Sequence, residues 1–296
     1  MKRALVTGGS GQVGGAIITA AARHGFDVVA PDRNMLDLGD PDSISAAIGA
    51  ADWSVIINCA AYTAVDKAQD EPALANAINH AAPGLFASEA ALRSIPIVHI
   101  STDYVFDGSK KAAYVEDDMV HPLGVYGASK EAGEAAVRAG NPAHAIIRTA
   151  WVVSAGGANF INTMLRLAQT RGEVGVVADQ FGCPTSAADI ADAVLRVADR
   201  ITDPAPFASG TWHFVNSGRA SWHDLAALVF EEVAARGLKT PELRAITTAE
   251  YPTPARRPVN SQLDTTKITR DFNIVPRQWQ DAIKQIMEER LQDRRG

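Results

Sequence analysis

Short apolar runs alternate with longer alanine-rich stretches through the first half of the chain. The runs Ala4 to Val6, Asp27 to Ala30, Ser54 to Asn58, Ile97 to Ser101 and Ala145 to Arg148 are rich in apolar and β-branched residues. Between them, Val13 to His24, Pro41 to Gly49, Pro72 to Leu92 and Leu123 to Ala139 carry helical patterns. Near-continuous apolar strands separated by helices predict a parallel sheet covered on both faces. The expected architecture over residues 1–150 is therefore a doubly wound α/β domain, with ligands bound beyond the carboxyl ends of the strands.

After about residue 150 the alternation loosens, and prolines at 184, 204, 206, 241, 252, 254 and 258 punctuate the chain. Helices are expected near Asn159 to Arg171, Ala188 to Arg200, Ser221 to Arg236 and Arg277 to Leu291. Residues 151–296 read mainly as a smaller lobe closing over the sheet edge, with some elements returning to the first domain. Asp293 to Gly296 reads as a solvated end.

Composition narrows the partners. The 296 residues are 47% hydrophobic and 21% charged, as in ordinary globular chains. A net charge of −6 without a basic stripe argues against nucleic acid. Cys59 and Cys183, the only two cysteines, are too few for a disulfide framework and fit a reducing compartment. The apolar run after Met1-Lys2-Arg3 stops at Gly8-Gly9, too soon for a targeting segment. No stretch approaches the ~20 apolar residues that span a bilayer. The expectation is a cytoplasmic protein with neither nucleic acid nor membrane as partner.

Candidate chemistry sits where the strands end. Thr7-Gly8-Gly9-Ser10-Gly11-Gln12-Val13-Gly14 follows the first strand and opens the first helix. Glycines at 8, 11 and 14 permit a tight turn, close approach to a pyrophosphate and close helix packing, so Gly8, Ser10, Gly11, Gln12, Val13 and Gly14 are assigned to a dinucleotide. After the second strand, Asp32 suits the ribose hydroxyls of NAD and Arg33 the 2′-phosphate of NADP, so either cofactor fits. Asp37 and Leu38 are placed beside the adenine. The small residues of Asn58-Cys59-Ala60-Ala61-Tyr62-Thr63 admit the cofactor near the backbone, and Ala60, Ala61 and Tyr62 join its site. Thr102 ends the next strand, with a catalytic hydroxyl or a turn cap as its two readings. Tyr126 and Lys130 stand at i and i+4, one turn apart on one helix face. An ammonium there lowers the phenol from its usual pKa of ~10, making Tyr126 a proton donor near neutral pH. No metal-ligand spacing, Walker loop or Gly-x-Ser-x-Gly elbow occurs.

These motifs together resemble an extended short-chain dehydrogenase/reductase. Five segments narrow the likeness: Thr63 to Ala68, Ser101 to Phe106, Arg148 to Val152, Asp179 to Thr185, and Pro252 to Pro258. They are similar to the dTDP-4-dehydrorhamnose reductase family, over nearly the whole chain. The resemblance implies a Rossmann-type domain at 1–150 and a substrate-binding lobe beyond it. It implies hydride transfer from NADPH or NADH to the C4 carbonyl of a dTDP-linked 4-ketosugar, dTDP-4-dehydro-β-L-rhamnose, giving dTDP-L-rhamnose. Tyr126 is then the general acid, Lys130 holds the nicotinamide ribose and lowers the tyrosine pKa, and Thr102 bonds the reacting oxygen. Thr102, Asp103, Tyr104, Trp151 and Arg257 form the implied substrate set, with Arg257 on the diphosphate. Two features depart from the family. The first helix begins Gly14-Gly15-Ala16-Ile17, without the glutamate that can hold a metal between subunits, so a homodimer stays open only through other surfaces. Val153-Ser154 replaces a frequent aromatic. The competing readings are an epimerase or dehydratase with retained NAD, and a non-catalytic cofactor-binding subunit like that of methionine adenosyltransferase. Tyr104 stands where such a dehydratase usually has Glu.

Overall fold

Five apolar runs become five parallel strands, and a sixth strand joins them from far along the chain. The computed structural model describes residues 1–292; the expected solvated end at 293–296 lies outside them. The first half runs β1 (Lys2–Thr7), α1 (Gln12–Ala20), β2 (Phe26–Val29), α2 (Pro41–Gly49), β3 (Val55–Asn58), α3 (Pro72–Asn76), α4 (Ala82–Leu92), β4 (Ile97–Thr102), α5 (Val125–Gly140) and β5 (His144–Thr149). The second half adds β6 (Val152–Val153), α6 (Phe160–Thr170), β7 (Glu173–Val177), β8 (Phe181–Gly182), β9 (Thr185–Ser186), α7 (Ala187–Ile201) and β10 (Gly210–His213). It ends with β11 (Ala220–Ser221), α8 (Trp222–Ala234), β12 (Glu242–Ile246), α9 (Thr266–Phe272) and α10 (Trp279–Gln292).

The main sheet has the order β10-β5-β4-β3-β1-β2 and is parallel throughout. The chain therefore winds outward in both directions from the β1/β3 junction, the switch point at which such sheets open a ligand crevice. Alternate residues on each strand serve opposite faces. Ala4, Val6, Ile57, Val98 and Ile147 pack with Ile17 of α1 and Ile190 and Val194 of α7. Leu5, Ile56, Ile97 and Ile146 pack with Ile44 of α2, Phe86 of α4 and Val137 of α5. A separate core joins Ile161 and Leu165 of α6, Val174 and Val176 of β7, Leu225 and Val229 of α8, and Ile283 and Met287 of α10. No helix among the described residues is long and apolar enough to cross a membrane.

The expected continuous helix from Pro72 to Leu92 is interrupted. A π-helical turn, Ala77–Ala81, separates α3 from α4. Pro83 in the first turn of α4 lacks an N–H, so the ladder cannot run on unbroken. The turn has a structural use: a Cβ on Gly133 of α5 would lie 2.0 Å from the Asn79 carbonyl oxygen, so only glycine lets α5 come this close.

On β10, His213 is wholly buried and donates from Nδ1 to the Tyr114 carbonyl at 3.1 Å. Its bare Nε2 then faces Arg148 Nη1 at 3.4 Å. Burial and the Arg148 guanidinium push the ring down to about 3, against 6.5 ordinarily. Below pH 6.5 the unfolded chain thus takes a proton that the folded chain refuses, and stability falls as pH drops toward 3. Chemical denaturation is expected to show a loss of roughly 2 kcal/mol between about pH 7 and 5 from this residue. That component should vanish in His213→Gln; an identical pH slope in both proteins would refute the assignment.

Candidate active site

The turn after β1 is shaped by contacts that leave no room for side chains. Gly8 adopts φ +70, and a Cβ on it would meet Ala60 N at 2.8 Å. A Cβ on Gly14 would meet the Gly8 carbonyl oxygen at 2.2 Å, so α1 can approach the turn only with glycine there. Gly11 precedes α1 as its N-cap without a side-chain cap, and the first turn holds no acidic residue. The amides opening α1 therefore remain donors beside a positive dipole end, which fits a pyrophosphate. Replacing Gly14 by Ala is expected to weaken NADPH binding at least tenfold and to cost about 1–3 kcal/mol of stability. Titration of nucleotide fluorescence checks this, and wild-type affinity would count against the cradle.

Of the other residues assigned to the nucleotide, Asp32 accepts the Asn34 and Met35 amides at 2.8 and 3.2 Å, closing the turn after β2. Arg33 beside it is exposed, and Asp37 accepts the Gly39 amide at 2.8 Å. Leu38 packs on the core, Ser10 is exposed and Val13 lies against the α1 face of the sheet. Ala60 and partly buried Ala61 line the end of β3, where the Ala60 amide donates to Thr7. Tyr62 is pinned by Asn79, which accepts its amide at 2.8 Å, and its hydroxyl donates to Glu71 at 2.5 Å. Gln12 instead ties the turn to β6 and the loop that leads into α6. Its Nε2 donates to the Val152 carbonyl, and its Oε1 accepts from Ser154 and Asn159.

Thr102, Tyr126 and Lys130 come together at the carboxyl edge. Lys130, 2% exposed, reaches back from α5 to donate to the Ile100 carbonyl on β4 at 2.6 Å. Thr102 donates to Asp103 at 2.9 Å. Asp103 is itself buried, and burial raises its carboxyl to about 6. The Tyr126 ring meets Tyr104 edge-on at 5.5 Å. Enclosure pushes the Tyr126 phenol up to about 12, with Thr102 pulling the other way. This corrects one expectation: the lysine does not bring the phenol toward neutrality here. Desolvation of the phenolate is the largest cause, with Asp103 adding to it, and burial likewise lowers Lys130 to about 8.

Arg257 arrives from 191 residues away to pair with Asp66 at 2.8 Å and stands 6.0 Å above the Tyr104 ring. Its Nη1 is buried without a partner among the described residues. Trp151 has φ +47, a left-handed conformation that a bulky residue keeps only when its surroundings hold it there. They do so here. The ring stacks on Trp222 at 3.6 Å and 5°, and a Cβ on Gly182 would lie 2.5 Å from it.

Several polar residues around this centre escaped the sequence reading. Asn79 bonds Tyr62 and Ser129, bracing α5. Glu134 and Arg148 form a buried ion pair at 2.7 Å behind Lys130. His99 lies beside Lys130 Nζ at 3.4 Å. Its signal was present in the chain, as a lone ring in the otherwise apolar run Ile97 to Ile100.

Comparison with known proteins adds an independent line. Residues 1–292 match the family model described as RmlD substrate binding domain. A protein of Sinorhizobium fredii named dTDP-4-dehydrorhamnose reductase is 43% identical over 289 residues, covering 96% of each chain. The crystal structure of a dTDP-4-dehydrorhamnose reductase from Clostridium acetobutylicum superimposes with a TM-score of 0.91 at 36% identity, covering 98% of this chain and 99% of that one. One from Bacillus anthracis, solved in complex with NADP, gives 0.90 at 31% identity and covers 98% and 100%.

Proposed function

This chain belongs to the RmlD substrate binding domain family, and from that premise we propose that it is an NAD(P)H-dependent dTDP-4-dehydrorhamnose reductase. It reduces the C4 keto group of dTDP-4-dehydro-β-L-rhamnose to give dTDP-L-rhamnose. The observation that carries the reading is the convergence of three side chains on the carboxyl half of β4: Thr102 at its end, Tyr126 against Thr102, and Lys130 on the Ile100 carbonyl. The reduced nicotinamide supplies the hydride when bound. The amides opening α1 hold the pyrophosphate, and Asp32 and Arg33 flank the adenosine ribose.

Reduction of a ketone consumes a proton at the carbonyl oxygen, so the acid must reach the reaction still protonated. A phenol at about 12 does so at neutral pH. Tyr126 passes that proton to the C4 oxygen, and Thr102, oriented by Asp103, stands beside the same oxygen. Lys130 holds the nicotinamide ribose. Arg257, with a donor to spare, binds the diphosphate, with Tyr104 beneath it. Trp151, held by its stack on Trp222, packs on the sugar. The protein acts in the cytoplasm, and copies pair, where they do, through surfaces other than the carboxylate-free start of α1.

Purified protein given NADPH or NADH with dTDP-4-dehydrorhamnose is expected to oxidise one nucleotide per sugar. No oxidation at saturating substrate would overturn the proposal.

A further inference from the structure

A buried relay of side chains runs from the glycine turn to Lys130, and chemistry dictates the direction of each bond in it. The Ala60 amide donates to Thr7 Oγ1 at 3.1 Å, so the Thr7 hydroxyl still has its own proton to place. That proton goes to Asn58 across 2.6 Å, a length typical of O–H···O bonds and short for N–H···O. The Asn58 atom facing Thr7 is thus its carbonyl oxygen, and its amide nitrogen faces His99 Nδ1 at 3.0 Å. An amide nitrogen only donates, so Nδ1 is bare. Thr7, Asn58 and His99 are 1%, 2% and 0% exposed. Burial, with Lys130 and Arg138 nearby, holds His99 well below its ordinary range, so the ring is neutral. Its single proton must therefore sit on Nε2, which lies 3.4 Å from Lys130 Nζ.

The geometry points to His99 as a positioning residue that meets Lys130 with an N–H donor and so favours the neutral amine over the ammonium. An ammonium has three donors and no acceptor, and it opposes Nε2–H; an amine has a lone pair to receive it. The other groups facing Lys130 act differently. Glu134, one turn on along α5, and Cys59, at the end of β3, both favour the ammonium, and burial outweighs them. Tyr126, one turn back, is a neutral phenol. A lysine with both protonation states close to working pH can give up and regain a proton within a turnover. Restoring the Tyr126 phenol after each reduction calls for such a group. This meaning rests on the reductase reading, but the test does not, because it is made on the protein alone.

Nitrogen NMR of the full chain labelled with 15N-histidine reads the tautomer directly. His99 is expected to carry its proton on Nε2 with Nδ1 bare at neutral pH. A proton on Nδ1, or a charged ring, would overturn the inference without any variant. A second measurement follows the Lys130 Cε resonance against pH, identified by its loss in Lys130→Met. In Thr7→Val, which removes the hydroxyl that orients Asn58, the Lys130 midpoint is expected to rise by about one pH unit, near the net worth of one hydrogen bond. Thr7→Ser, which keeps the hydroxyl, should retain the wild-type midpoint. A midpoint unchanged in folded Thr7→Val, or moved equally in Thr7→Ser, would sink the relay.

Discussion

Replacing Tyr126 by phenylalanine is expected to lower kcat by roughly 10²–10⁴-fold, the usual contribution of a positioned general acid. The ring and its edge contact with Tyr104 at 5.5 Å survive the change, so the fold and the floor of the site should persist. NADPH should bind as before, because the glycine turn and Lys130 are untouched. The loss should therefore fall on kcat with little change in KM, the mark of an interaction made only in the transition state. Steady-state kinetics with NADPH titrations decide the matter. A kcat within a factor of ten of wild type would reject Tyr126 as the proton donor.

The largest expected effect on stability lies behind the site. Glu134, fully buried on α5, accepts from Arg148 Nε at 2.8 Å and Nη2 at 2.7 Å, with a third contact from Arg138 Nη1 at 3.1 Å. Burial alone would raise the Glu134 carboxyl, but the Arg148 hydrogen bonds and charge outweigh it and hold the group ionised below its ordinary range. Glu134→Ala strands the Arg148 guanidinium among Phe106, His213 and the sheet. Leaving a buried charge unpaired costs about 3–5 kcal/mol, which corresponds to a Tm lower by roughly 10 °C in a chain of this size. Replacing both partners at once, as in Glu134→Met with Arg148→Leu, should recover much of that loss, because neither member of the pair is left uncompensated. Guanidinium denaturation of the two variants tests the account. A single variant as stable as wild type, or a double variant worse than the single one, would contradict it.

The first five strands could be read from the chain because buried parallel strands are apolar on both faces, and that pattern needs no partner to be recognised. β10 has no such run. Gly210-Thr211-Trp212-His213 joins the sheet because Arg148 and the Tyr114 carbonyl, distant in sequence, satisfy its histidine. The break between α3 and α4 was hidden because helical periodicity does not register a π turn, although Pro83 signalled the missing donor. At the site, the spacing of Tyr126 and Lys130 placed both on one helix face. It could not give the direction of the phenol's pKa, which burial decides, and burial is a property of the folded chain. Arg257 and Asp66 meet across 191 residues, and the His99 relay depends on three strands lying side by side. Such pairings exist only once the topology is known.

The central claim is that a hydride leaves the reduced nicotinamide for C4 of a dTDP-linked ketosugar. Turnover with NADPH carrying deuterium at the transferring position of the nicotinamide, followed by NMR of the sugar product, tests it most directly. The expected result is deuterium at sugar C4 in dTDP-L-rhamnose, with one oxidised nucleotide per product. Product formed without net nucleotide oxidation, or without deuterium at C4, would contradict it.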